Sequence, residues 1–257
     1  MIPVPMSSSD TTSHSRPEAV YYYGTCLVDL FFPDAGLSGI RLLRREGLRV
    51  IFPRGQTCCA QPAFNCGYHE EARAVARAQI ALFREPYPIV VPSGSCAGMM
   101  KRHYPALFEG DPLQAEAEAF AARVFELTQF LSNVLKVELT DRGEKVRVTW
   151  HSSCHALREM GIVEEPRSLL AQLANVELAP LSRERECCGF GGTFAIREPE
   201  ISAAMVEDKA ADVISTGAPI LLSGDGGCLL NIGGWLAAKG ETIVARHVAE
   251  FLWERTR

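Results

Sequence analysis

Short apolar runs alternate with longer amphipathic stretches along this chain, and the alternation predicts its elements. Residues 20–23 are β-prone and end in Gly24-Thr25-Cys26. Residues 37–45 carry Leu37, Ile40 and Leu43 at helical spacing, with Gly47 placed to stop the helix. The apolar run 48–52 has strand length and leads to Cys58-Cys59, and the alanine-rich stretch 70–83 reads as a helix. Residues 89–91 form a buried-strand pattern that opens into Pro92-Ser93-Gly94-Ser95-Cys96. Phe120, Val124, Leu127 and Leu131 then predict one long connecting helix over 113–134, closed by a turn at Asp141-Arg142-Gly143.

The plan then repeats. A strand over 146–150 precedes His151-Ser152-Ser153-Cys154, and a short helix over 166–173 follows. Residues 176–180 lead towards Cys187-Cys188, and a helix over 201–215 is closed by Gly217. A strand over 220–222 ends in Ser223-Gly224-Asp225-Gly226-Gly227-Cys228, and a last strand (242–245) and helix (249–253) finish the chain. Alternating strands and helices imply parallel sheets with right-handed crossovers. The expected fold is therefore α/β, with two pseudo-symmetric repeats, each a small parallel sheet flanked by helices. The expected division is a disordered tail (1–19), a first repeat (20–110), a helical connector (111–143) and a second repeat (144–257).

The cysteines keep the same register in both repeats. Cys26, the pair Cys58-Cys59 and Cys96 are separated by 31 and 36 residues; Cys154, Cys187-Cys188 and Cys228 by 32 and 39. Each position follows a predicted strand and precedes a predicted helix, so the thiols fall on the carboxyl edge of each sheet, where α/β folds bind ligands. Four thiols from three loops should converge in each half. Simple packing explains a lone thiol such as Cys66 but not eight in matching registers. A vicinal disulfide would be strained. Adjacent side chains on an extended backbone diverge, so each pair suits two atoms of a larger cluster where the chain bends, and Gly189, Gly191 and Gly192 permit that bend. Thiolates select zinc, copper(I) or iron–sulfur clusters. Without a short two-cysteine knuckle, a polynuclear cluster fits better, with one four-thiolate zinc per half as the competitor.

Charge and composition narrow the class. The 257 residues are 47% hydrophobic and 22% charged, with net charge -5 and no dense basic run, which argues against a nucleic-acid or anionic-membrane partner. No apolar run is long enough to span a bilayer. The polar, Ser/Thr-rich start reads as a tail rather than a targeting segment. Nine cysteines without an export signal point to a reducing compartment, and a cytoplasmic location is expected.

The doubled pattern resembles the cysteine-rich, or CCG, domain family. That family includes the cysteine-rich component of heterodisulfide reductase and the iron–sulfur subunits of glycolate and anaerobic glycerol-3-phosphate dehydrogenases. The resemblance is nearest to the lactate utilization protein A group. It rests on Gly24-Thr25-Cys26-Leu27-Val28-Asp29, Gln56-Thr57-Cys58-Cys59, Gln61-Pro62-Ala63-Phe64-Asn65, Pro92-Ser93-Gly94-Ser95-Cys96, Ser153-Cys154-His155, the run from Cys187 to Phe194, and Pro199-Glu200-Ile201-Ser202. It implies an iron–sulfur redox subunit, 4Fe-4S in type, acting with partner subunits that include a ferredoxin-like iron–sulfur protein to oxidise L-lactate to pyruvate. Cys26, Cys58, Cys59, Cys96, Cys154, Cys187, Cys188 and Cys228 would be its ligands.

Three departures from the family pattern matter. Ala60 stands where the second pair has Gly189, at a cost of about 1 kcal/mol if that position needs φ > 0. Cys96 and Cys228 each stand alone rather than in a two-cysteine motif. Cys66, opposite Ala195 in register, could add a fifth ligand to the first half only. His155 is a candidate ligand or proton carrier with a structural role as the alternative; His151, His69 and His103 carry less information. Asp225 is a candidate ligand or a turn residue. No flavin or nicotinamide fingerprint accompanies them. Two further classes stay open: a zinc-stabilised structural or assembly subunit, and a thiol–disulfide oxidoreductase working through the vicinal pairs.

Overall fold

The computed structural model describes residues 16–257; most of the expected tail lies outside them. Eight strands form two separate four-stranded parallel sheets. The first has the order β2-β1-β3-β4, with β1 Ala19–Tyr22, β2 Arg49–Ile51, β3 Ile89–Val91 and β4 Val124–Glu126. The second repeats it as β6-β5-β7-β8, with β5 Val146–Trp150, β6 Val176–Ala179, β7 Ile220–Ser223 and β8 Val244–His247. The α/β expectation with two like repeats holds.

One expected element differs. The 113–134 segment is a helix only over Gln114–Ala122; it then runs as β4 and turns helical again at Leu127. Val124 and Leu127 are fully buried, and a helix would place them on one face just as well, so periodicity could not separate the two states. Pairing decides. The three residues of β3 are fully buried, and β4 supplies the parallel partner for its free side, with Ile89 opposite Val124. Arg123 fixes the break by donating to the carbonyls of Phe83, Glu85 and Tyr87. Glu126 then caps the new helix, accepting from the amides of Thr128 and Gln129.

The halves share a core. Val20, Tyr22, Leu42 and Val90 of the first pack in one cluster with Val148, Trp150, Leu222, Phe251 and Leu252 of the second. The last helix, Val248–Thr256, lies against Pro33–Arg45, and Arg45 donates to Thr256 across that contact. Among the described residues no helix is long and apolar enough to cross a membrane.

Candidate metal centre

In each sheet the chain leaves the first strand towards one neighbour and the third strand towards the other. This creates a crevice at the carboxyl ends of those two strands, where doubly wound sheets bind ligands. Cys26 begins a helix after β1 and Cys96 lies in the first turn after β3, while Cys58-Cys59 arrives from β2. Cys154, Cys228 and Cys187-Cys188 take the same places after β5, β7 and β6.

Within each half the thiols form a chain of contacts, from Cys26 through Cys58 and Cys59 to Cys96, and from Cys154 through Cys187 and Cys188 to Cys228. The Cys154 thiol donates to Cys187 at 4.0 Å. All nine cysteines are free. The contact with Cys26 pulls Cys58 down to about 3, and the contact with Cys154 pulls Cys187 down to about 2, while Cys26 and Cys154 move up in return. In each half one thiol is thus biased towards the thiolate, the form that binds metal.

The pairs are held by residues that the sequence pattern does not single out. Gln79, fully buried, accepts from the Thr57 amide at 3.2 Å and donates to its hydroxyl at 2.9 Å. Near the same register in the second half, buried Lys209 donates to the Arg183 carbonyl, and Asp212 accepts from the amides of Ser182 (3.0 Å) and Arg183 (2.9 Å). The carbonyl of the inner cysteine is tied each time from the helix behind it, Tyr104 to Cys59 at 3.2 Å and Asn231 to Cys188 at 2.8 Å. A polar residue at a buried helical position twenty or so residues past each pair was the available signal.

All eight register cysteines line one cavity of about 300 Å³ between the halves, together with Leu27, Phe190, Ile196, His155 and Asp225. That is about ten times the share of one water in the liquid, so the space admits a polynuclear group. Among the described residues lining it there is no lysine or arginine to offset thiolate charge. A donor set of converging thiolates with no cationic side chain fits bound metal ions, and these eight residues are the ones that would hold them.

Other candidates fall into place around this. Asp225 serves structure: it caps the Gly226–Ala238 helix through the Gly227 amide and reaches across to the Ser95 amide at 2.8 Å and the Ser153 hydroxyl at 3.1 Å. His155 Nδ1 lies 3.5 Å from the Cys154 sulfur, and its Nε2 lies 3.7 Å from Glu159. Cys66 is not among the cavity residues; its sulfur meets the Thr193 hydroxyl at 2.9 Å, joining the two halves at the rim. His151 carries little signal in the sequence, yet it is fully buried, within 4.8 Å of the sulfurs of Cys188 and Cys228.

Comparison with known proteins agrees with this arrangement. The family described as "Cysteine-rich domain" matches twice, over residues 20–101 and 148–233, each match enclosing one quartet of thiols. This chain belongs to the cysteine-rich (CCG) domain family. Among its relatives is a protein named lactate utilization protein A from Shouchella clausii, 45% identical over 234 residues, covering 91% of this chain and 98% of that one. The protein of the same name from Geobacillus kaustophilus matches with the same identity and coverage. A hypothetical protein from Helicobacter pylori, 10% identical, shares the fold with a TM-score of 0.59 over 94% of this chain; the chain spans about half of that protein's length. Each CCG match takes in the first three strands of one sheet, and the inter-repeat cavity is where their cysteines meet.

Proposed function

We propose that this chain serves lactate utilization as an iron–sulfur redox subunit. Its two thiolate quartets hold clusters of 4Fe-4S type and pass electrons within a multi-subunit complex that oxidises L-lactate to pyruvate. The observation carrying this reading is the convergence of eight free thiols on one cavity with no cationic side chain, in a chain 45% identical over nearly its whole length to proteins named lactate utilization protein A.

Removing two electrons and two protons from lactate needs an acceptor, and the bound clusters supply one-electron chemistry that no side chain here provides. The chain itself holds the thiolates, and Leu27, Phe190 and Ile196 line the cavity beside them. Other subunits, among them a ferredoxin-like iron–sulfur protein, complete the electron path. One arrangement favours a second reading: Cys188, Cys228 and His151 form a sulfur–nitrogen set suited to zinc, which would make the chain a structural or assembly subunit.

The test isolates the chain without oxygen together with what it binds, and adds L-lactate. Bleaching of visible absorption together with formation of pyruvate is expected. Lactate oxidation by the assembly with an unchanged chromophore would contradict the redox role.

A further inference from the structure

His151 and Tyr23 hold the same place in the two repeats, three residues before Cys154 and Cys26 and just past the first strand of each sheet. Both are fully buried, but they differ in how they are satisfied. The Tyr23 hydroxyl donates to the Thr57 carbonyl at 2.7 Å. His151 is anchored by its backbone, whose amide donates to the Leu222 carbonyl at 2.8 Å, yet neither Nδ1 nor Nε2 has a partner. An unsatisfied buried polar atom is destabilising, and an apolar side chain would avoid that cost. One ring nitrogen and the sulfurs of Cys188 and Cys228 lie within 4.8 Å of one another.

We propose that His151 is a ring-nitrogen ligand of the metal group held by Cys154, Cys187, Cys188 and Cys228. The second site is then a mixed sulfur–nitrogen centre, while the first, with Tyr23 in the matching place, is bound by sulfur alone. The inference rests on the reading of the quartets as metal sites and goes beyond it by making the two sites chemically unequal. Imidazole and thiolate bind the same soft metals together. Donors on one tetrahedral ion lie about 3.5 Å apart, so the three groups need to close by up to about 1.3 Å, or to bind neighbouring atoms of one cluster. A neutral imidazole adds a donor to the second site without adding negative charge, so the two sites carry the same thiolate charge but different ligand sets.

The test is pulsed electron paramagnetic resonance on the full chain, purified without oxygen, reduced, and grown with ¹⁴N- or ¹⁵N-histidine. A directly bound imidazole nitrogen should appear in the wild type. It should remain in His155→Gln, which alters the histidine that lines the cavity, and be lost in His151→Leu. Melting of each metal-free variant by circular dichroism separates ligand loss from unfolding, and His151→Cys should restore a full complement of metal without the nitrogen signal. A cluster with no imidazole coupling, or coupling that survives His151→Leu, would overturn the proposal while leaving the metal reading intact. If the chain holds zinc instead, the iron–sulfur reading fails but this one is still decided: zinc X-ray absorption shows a nitrogen neighbour lost in His151→Leu, or it does not. A chain that binds no metal refutes both.

Discussion

Ala60 and Gly189 occupy the same register, directly after each cysteine pair, and both are left-handed, with φ of 69° and 84°. The sequence flagged Ala60 as costly if φ were positive there, and it is. The two positions respond unequally to exchange. Ala60→Gly relieves about 1 kcal/mol of backbone strain but exposes a gap where a buried methyl contributed about 0.8 kcal/mol, so urea unfolding of that variant should match the wild type to within about 0.5 kcal/mol. A Cβ at Gly189 would stand 2.8 Å from the Ser202 carbonyl oxygen, a backbone atom that cannot swing aside. Gly189→Ala should therefore cost about 2 kcal/mol or more in the same experiment, and a change under 0.5 kcal/mol would refute the stated geometry. At this scale the ligand types were legible because cysteine in register is rare. The bracing residues were harder to read: Gln79 and Lys209 sit on the buried faces of their helices, beside Ala76 and Ile80 and beside Val206 and Ala210, but a lone polar residue in an apolar stripe does not say what it binds.

The clearest lesson at the level of elements is β4. Its apolar spacing suits a helix, but the repeat contained the answer: the second half closes its sheet with a strand after the last cysteine, and β4 is the matching strand of the first. Strands β3 and β5, by contrast, fall where the apolar pattern places them, at 89–91 and 146–150. The end of β8 also ties the repeats. His247 Nε2 donates to the Pro92 carbonyl at 3.0 Å, and Nδ1 accepts from the Ala249 amide at 3.1 Å to cap the last helix. Burial holds this histidine down to about 4, so the folded protein keeps it neutral while the unfolded chain takes up a proton near pH 6.5. Its contribution is complete above about pH 6.5 and is lost as pH falls towards 4, about 3 kcal/mol in all; His151, held down to about 3 by burial, acts in the same direction. Denaturation midpoints of metal-free protein should drop over that interval, and His247→Asn should flatten the slope. An unchanged slope in the variant would remove His247 from the account.

On the scale of the whole molecule, the cavity exists because two sheets with identical strand order share a core and face their carboxyl edges towards each other. The duplication predicted two sites; that they open into one space could not be read from spacing, because it depends on how the halves pack. A near-buried ion pair helps to set that packing. Arg255 donates to both oxygens of Asp141, at 2.8 and 2.7 Å, from the helix that contacts the first half. Arg255→Leu strands the Asp141 carboxylate and should cost about 3 kcal/mol in urea unfolding, whereas a loss under 1 kcal/mol would show that the pair is dispensable. The central claim is that the eight thiols bind metal in two groups. Iron, acid-labile sulfide and zinc per chain, measured on protein isolated without oxygen, test it most directly. Iron and sulfide in near-equal amounts are expected in the wild type, with about half retained in Cys188→Ser; protein with neither iron nor zinc, its eight thiols open to alkylation, would contradict the account.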